Sequence, residues 1–142
     1  MSVVTDNYVL LILQLLLAAF LGGLIGLERE KEQRPAGVRT YVVTALGAYI
    51  FTLLSYIAAT NADGQLINDP TRISAQIVTG IGFLGAGVIM KKDNHVEGIT
   101  TAAGLWVTAA IGMAVGLHQY LLAVTATAIT LIVLLALRFH DK

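Results

Sequence analysis

Residues able to do chemistry gather at two places in this chain. Glu28, Arg29 and Glu30 stand together, with Arg34, Arg39 and Thr40 close behind. Such a pair of carboxylates is one way to hold a hard cation, because Mg2+ is commonly taken by one or two carboxylates and several waters. Glu28 and Glu30 are therefore weak metal candidates, and Mg2+ is the ion they would suit. The plainer reading is a charged, solvated helix extension in which Glu28 pairs with Lys31 and Glu30 with Arg34. Arg39 is placed to pair with the same acids across the connection. The second place is Arg72, Gln76 and Thr79, spaced i, i+4 and i+7 and so on one helical face. An Arg at the edge of an apolar stretch usually snorkels to the interface. Its continuation into Gln76 favours instead an inward face that meets carbonyls or a small aqueous cavity.

Other chemistry is not indicated. No nucleophile–base pair and no metal-ligand spacing marks an enzyme. Gly80, Gly82 and Gly85 formally match G-x-G-x-x-G. A dinucleotide site also needs a preceding strand and an acid further on, and these glycines sit inside an uncharged run.

The elements that position these residues follow from composition. The chain has 142 residues, 56% hydrophobic and 13% charged, and its mean hydropathy is +0.77. Nine basic and nine acidic residues cancel, so no global field draws nucleic acid. Residues 8–27, 40–62, 73–90, 98–117 and 119–137 contain no charged residue and no histidine. Crossing a bilayer as a helix takes about 20 mostly apolar residues. A barrel would instead show alternating polarity. The expected fold is an all-α polytopic membrane protein, a compact bundle of five transmembrane helices spanning about 8–27, 40–62, 72–90, 98–117 and 119–137. The last two spans share one uncharged stretch, which residues 116–119 break as a tight turn. The first span lacks the basic flank of a signal peptide. The whole of 1–142 reads as a single integral membrane domain with no C-terminal cytosolic domain.

Orientation follows from basic residues in short loops. Arg29, Lys31, Arg34 and Arg39 follow the first span, Lys91 and Lys92 the third, and Arg138 and Lys142 the fifth. Five spans put these on one side, so the N-terminus is expected outside and the C-terminus in the cytoplasm. Asp93 and Glu97 join Glu28 and Glu30 on that side. No carboxylate lies inside a span, which argues against a mid-membrane proton relay.

Small residues populate the spans: Gly22 and Gly26 in the first, Thr79, Gly80, Gly82, Gly85, Ala86 and Gly87 in the third, Gly104 and Gly112 beside Trp106 in the fourth. Lipid gives little hydrophobic drive between helices, and small residues let backbones approach. The expected use is packing within the bundle, with a further face for a homo-oligomer, a dimer being favoured. On that reading Gly82→Leu overfills a close contact.

Three stretches resemble one family. GGLIGLERE at 22–30 with RPAGVRT at 34–40, AQIVTGIGFLGAG at 75–87, and GITTAAGLW at 98–106 with AAIG at 109–112 are similar, in order and spacing, to the signatures of the MgtC/SapB family. The resemblance implies a bacterial inner-membrane, multi-pass protein associated with growth under magnesium limitation, survival in acidic host compartments and virulence. In some members it implies restraint of the F-type ATP synthase. Several members carry a C-terminal cytosolic domain, and a role that depends on it is not implied here. The expected function is support of adaptation to low magnesium or acid stress by binding and modulating another membrane protein. The alternative is a small homo-oligomeric channel or transporter for Mg2+ or another cation.

Overall fold

A computed structural model of the chain describes residues 7–61, 63–92 and 95–136. Asp93, Arg138, Lys142 and the end of the fifth expected span lie outside the described residues. Five helices make up most of the chain: α1 (Tyr8–Lys31), α2 (Val38–Ala59), α3 (Arg72–Val88), α4 (Ile99–Gly116) and α5 (Tyr120–Ala136). Helices of 24, 22 and 18 residues, α1, α2 and α4, are long and apolar enough to cross a membrane, and α3 and α5 are shorter apolar helices of 17 residues. The architecture is thus mostly helical and consistent with an all-α membrane protein.

Each expected span holds one helix, but the ends differ for local reasons. α1 continues past Leu27 to Lys31, so the Glu28–Glu30 group rides on its last turn. α2 opens at Val38 and stops at Ala59, where Thr60 turns extended and bridges Leu66. The third span is not helical through residue 90. Ile89 is extended, and Met90–Lys92 (β1) pairs antiparallel with His95–Glu97 (β2). Gly98 returns the chain from this hairpin to α4 with φ 92°, where a Cβ would lie 2.0 Å from the Val88 carbonyl oxygen. Only glycine fits that joint.

The helix α4 is the hub, touching each of the other four. Its small residues explain why. A methyl on Gly112 would fall 2.3 Å from the Ala45 carbonyl oxygen, and one on Gly116 would fall 3.0 Å from Thr52 Cβ. The α1–α2 pair is equally close: Cβ atoms at Gly22 and Gly26 would stand 2.8 Å from Ala45 Cβ and 2.7 Å from Val38 Cα. Such approach supplies dispersion contact where the hydrophobic effect between helices is weak. Large apolar side chains point outward instead, among them Leu16, Phe20, Leu121 and Ile132, and Phe83 is 82% exposed. Three buried threonine hydroxyls are satisfied within their own helix: Thr52, Thr108 and Thr127 each donate 2.8 Å to the carbonyl four residues earlier.

The break between the last two helices is a turn, as residues 116–119 suggest. The His118 N–H donates to Val115 O at 3.0 Å and the Gln119 N–H to Ala114 O at 2.8 Å. His118 holds φ 60°. This bond pattern is a Schellman closure, which normally places glycine at the left-handed position. His118 Nε2 is also the one buried side-chain nitrogen or oxygen without a hydrogen-bond partner among the described residues. The ring makes an edge contact with Tyr120 at 6.0 Å. Relief of left-handed strain and of the orphaned nitrogen outweighs that contact. His118→Gly is expected to raise stability by about 1 kcal/mol, read as a higher unfolding midpoint in detergent.

Candidate functional site

The last turn of α1 carries the first group of expected site residues, and the structure separates their roles. Glu28 is 8% and Arg29 4% exposed. Arg29 Nε donates to Glu28 Oε2, and Arg29 Nη2 donates to Glu28 Oε1 at 2.7 Å. Buried charge is tolerated only when paired and hydrogen-bonded, and this fork satisfies both oxygens. Glu28 therefore pairs with its neighbour Arg29, not with Lys31. Glu30 does not pair with Arg34. Its Oε2 accepts the Val38 N–H at 2.8 Å. The N-cap of α2 is Gly37, which makes no side-chain cap bond, so Glu30 caps that helix from α1. Arg34, Arg39 and Thr40 are exposed, and the Arg34 N–H closes α1 on Arg29 O at 3.1 Å. Among the described residues no group of three or more His, Cys, Asp or Glu is placed to hold a metal ion. The two carboxylates singled out for Mg2+ are engaged in the pair and the cap.

The Glu30 cap gives a test. Glu30→Ala is expected to cost about 1 kcal/mol, the usual value of a helix cap, and Glu30→Gln to cost less because its amide oxygen still accepts. Unfolding midpoints of the two variants decide it. Equal losses would mean that charge, not the cap bond, matters.

Behind this turn lies Tyr41, fully buried. Its hydroxyl donates to Thr101 O at 3.1 Å and crosses Gly104, where a Cβ would stand 2.5 Å away. This ties the start of α2 to the start of α4. The junction of α1 and α2, with Arg29, Lys31, Arg34 and Arg39, and the β1 residue Lys91 are thereby brought to one end of the bundle.

Arg72 marks the opposite end. Ser55 of α2 anchors α3 there: its hydroxyl donates to Pro70 O at 2.7 Å and accepts the Ile73 and Ser74 N–H groups at 3.1 and 3.3 Å. Arg72, Gln76 and Thr79 are all exposed on α3. Gln76 faces a cleft of about 390 Å3 between α2 and α3, shared with Thr44 and otherwise almost wholly apolar. A second cleft of about 290 Å3 is lined by Trp106, Ile77, Met113 and Leu122 among others. Trp106 is 53% exposed. Close helix contacts use Gly22, Gly26, Gly104 and Gly112, and a Cβ on Gly85 would lie 3.4 Å from Ala102 Cβ. Gly80, Gly82 and Gly87 have no atom within 4 Å of a Cβ position, so a side chain begun at Gly82 meets no close helix contact among the described residues.

One polar unit escaped the sequence. Gln14, isolated in the first span, is buried. It accepts the Tyr49 hydroxyl at 2.9 Å and donates to the Tyr120 hydroxyl, joining α1, α2 and α5. The available signal was a lone amide and two tyrosines in apolar runs, each needing a partner.

Comparison with known proteins converges on one group. The model of the MgtC family matches residues 15–142. MgtC of Salmonella typhimurium is 49% identical over 127 residues, covering 89% of this chain and 52% of that protein. The Escherichia coli K12 protein named "Putative magnesium transporter YhiD" is 43% identical over 127 residues, covering 87% and 58%. A Haemophilus influenzae protein of uncharacterized function is 41% identical over 130 residues, covering 89% and 55%. The chain thus spans just over half the length of these curated relatives. No solved structure gives a significant match.

Proposed function

The chain belongs to the MgtC family, and from that premise we propose that it supports bacterial adaptation to low magnesium or acid stress by binding and modulating another membrane protein. It does so as a multi-pass protein of the inner membrane, crossing five times with its N-terminus outside. Helix α3, of 17 residues, is about 26 Å long, near the short limit for a crossing. The gathering of basic loops at one end supports the orientation.

The observation that carries this reading is where polarity is spent. At the basic end Glu28 is held by Arg29 and Glu30 by Val38 N–H. The two clefts beside α3 are lateral and apolar, with Gln76, Thr44 and Gln119 among their few polar side chains. A pore for a hydrated cation needs rings of carbonyls or charged side chains. Lateral apolar clefts suit contact with apolar neighbours in the bilayer. The F-type ATP synthase and a second copy of this chain are the first partners to examine.

The transport reading rests on the name of the YhiD relative and on the Arg72–Gln76 stripe. Purified protein in vesicles carrying an internal Mg2+ dye separates the two. The expected result is Mg2+ entry equal to that of empty vesicles. Entry above that level, lost in Arg72→Gln, would replace the modulator by a transporter.

A further inference from the structure

We propose that the cleft between α2 and α3 is a binding site for one zwitterionic, ammonium-bearing phospholipid, its acyl chain lying in the cleft, its phosphate on Arg72 and its ammonium on Asp69. The cleft measures about 390 Å3 and is walled by residues such as Phe51, Ile77, Ile81 and Leu84. Two glycines on its lining, Gly47 and Gly80, meet no atom within 4 Å where a side chain would begin. They differ in this from Gly22, Gly26 and Gly112, whose missing side chains admit a neighbouring helix. Here the missing side chains leave room along an apolar wall, and a flexible hydrocarbon chain fits such room.

Charge at one lip selects the headgroup. Arg72, Gln76 and Gly80 follow at intervals of four along α3; Gln76 and Gly80 line the cleft, and the exposed Arg72 stands one turn before them on the same face. The amides of the first turn do not compete for phosphate, because Ile73 and Ser74 N–H groups are taken by Ser55 Oγ. Asp69 is exposed and accepts the Thr71 N–H at 2.8 Å and the Thr71 hydroxyl at 2.7 Å. Those bonds, with a further contribution from the Arg72 charge, hold its carboxyl below the ordinary 3.8, so it is ionised at neutral pH. Asp63, also exposed, adds a second anion to the same loop. A cation beside an anion complements a headgroup that carries phosphate and ammonium together. A purely anionic headgroup would gain Arg72 but face Asp69.

The test uses the full chain in vesicles of phosphatidylethanolamine and phosphatidylglycerol, with either lipid carrying a photoreactive group on one acyl chain. Phosphatidylethanolamine adducts are expected to concentrate on peptides covering 43–51 and 73–84, above those on the lipid-exposed face of α5. Gly47→Leu with Gly80→Leu, for which there is space, should lower cleft adducts about tenfold, and Arg72→Gln should do likewise by removing a charge-assisted contact. Asp69→Asn should abolish the preference for phosphatidylethanolamine over phosphatidylglycerol. The last two changes are on exposed side chains and leave the bundle intact, so they decide the matter even if the double leucine variant unfolds. Adducts spread evenly and unmoved by these variants would overturn the proposal. So would equal labelling by phosphatidylglycerol in the native chain, or cleft residues that crosslink to a second copy instead of lipid. Mg2+ entry is a separate measurement, so this site and the modulator reading stand or fall apart.

Discussion

Gly112→Leu is expected to prevent the bundle from assembling, while Gly82→Leu leaves its stability unchanged. Both positions are glycines in apolar helices, and nothing in their local sequence separates them. The surroundings do. At Gly112 even a methyl lands 2.3 Å from the Ala45 carbonyl oxygen, 3.0 Å from its carbon and 3.0 Å from Ala48 Cβ. Two of these atoms are backbone and none is the end of a flexible side chain, so α2 must move as a unit. Overfilling a packed site costs about 1–3 kcal/mol for added methylenes and more when backbone must shift. Gly112 sits where α4 meets α2, in the hub that touches every other helix. A stability of about 5–15 kcal/mol is then largely consumed. Gly112→Ala should already lower the unfolding midpoint in detergent, and the leucine should give no folded peak. A Cβ on Gly82 would meet no atom within 4 Å, so a leucine there is expected to project into the surroundings. Equal loss in the two variants would refute this division. A loss at Gly82 that appears only at high protein concentration would show that a second copy packs there.

The same contrast shows what the sequence can and cannot convey. The five helices are legible because uncharged runs of that length can satisfy their backbone in lipid only as helices. The turn at His118 is legible because the uncharged stretch weakens there. Helix ends are less so, because they depend on partners distant in sequence. α3 stops at Val88 since Met90 pairs with Glu97, and nothing in an apolar run announces a strand. Side-chain partners fail for the same reason. Rules of helical spacing place Glu28 beside Lys31 and Glu30 beside Arg34, and those rules hold for solvated helices. Burial changes the choice for Glu28, whose nearest buried cation is Arg29. The open end of α2 changes it for Glu30. Ser55 shares a face with Thr40, Thr44 and Phe51 by spacing, yet it serves to fasten the start of α3. Small residues announce that helices approach, but not which ones. Gly22 and Gly26 fulfil that role, whereas Gly80 borders a cleft.

The buried pair supplies the other large effect. Glu28→Gln is expected to cost about 3–5 kcal/mol, because it leaves the Arg29 guanidinium buried without a counter-charge. Arg29→Gln should cost a similar amount by stranding Glu28. The double variant Glu28→Gln with Arg29→Gln should recover much of the loss, since two neutral amides carry no uncompensated charge and can hydrogen-bond each other. This non-additivity is the signature to seek: a double-mutant cycle over unfolding midpoints should give a coupling of about 2 kcal/mol or more. Losses that simply add would mean that each residue acts on something other than its neighbour. The pair is adjacent in sequence and both members are almost fully enclosed, so added salt should change the coupling little. The cycle also bears on function. Arg29 and Glu28 sit where α1 leaves the apolar region, beside the α1–α2 junction, where Arg34, Arg39 and Thr40 are exposed. If the double variant folds and still supports growth at low magnesium, the pair serves the fold, and the proposed partner contact falls to the exposed residues beyond it. If it folds and fails, the charge itself matters for the proposed function.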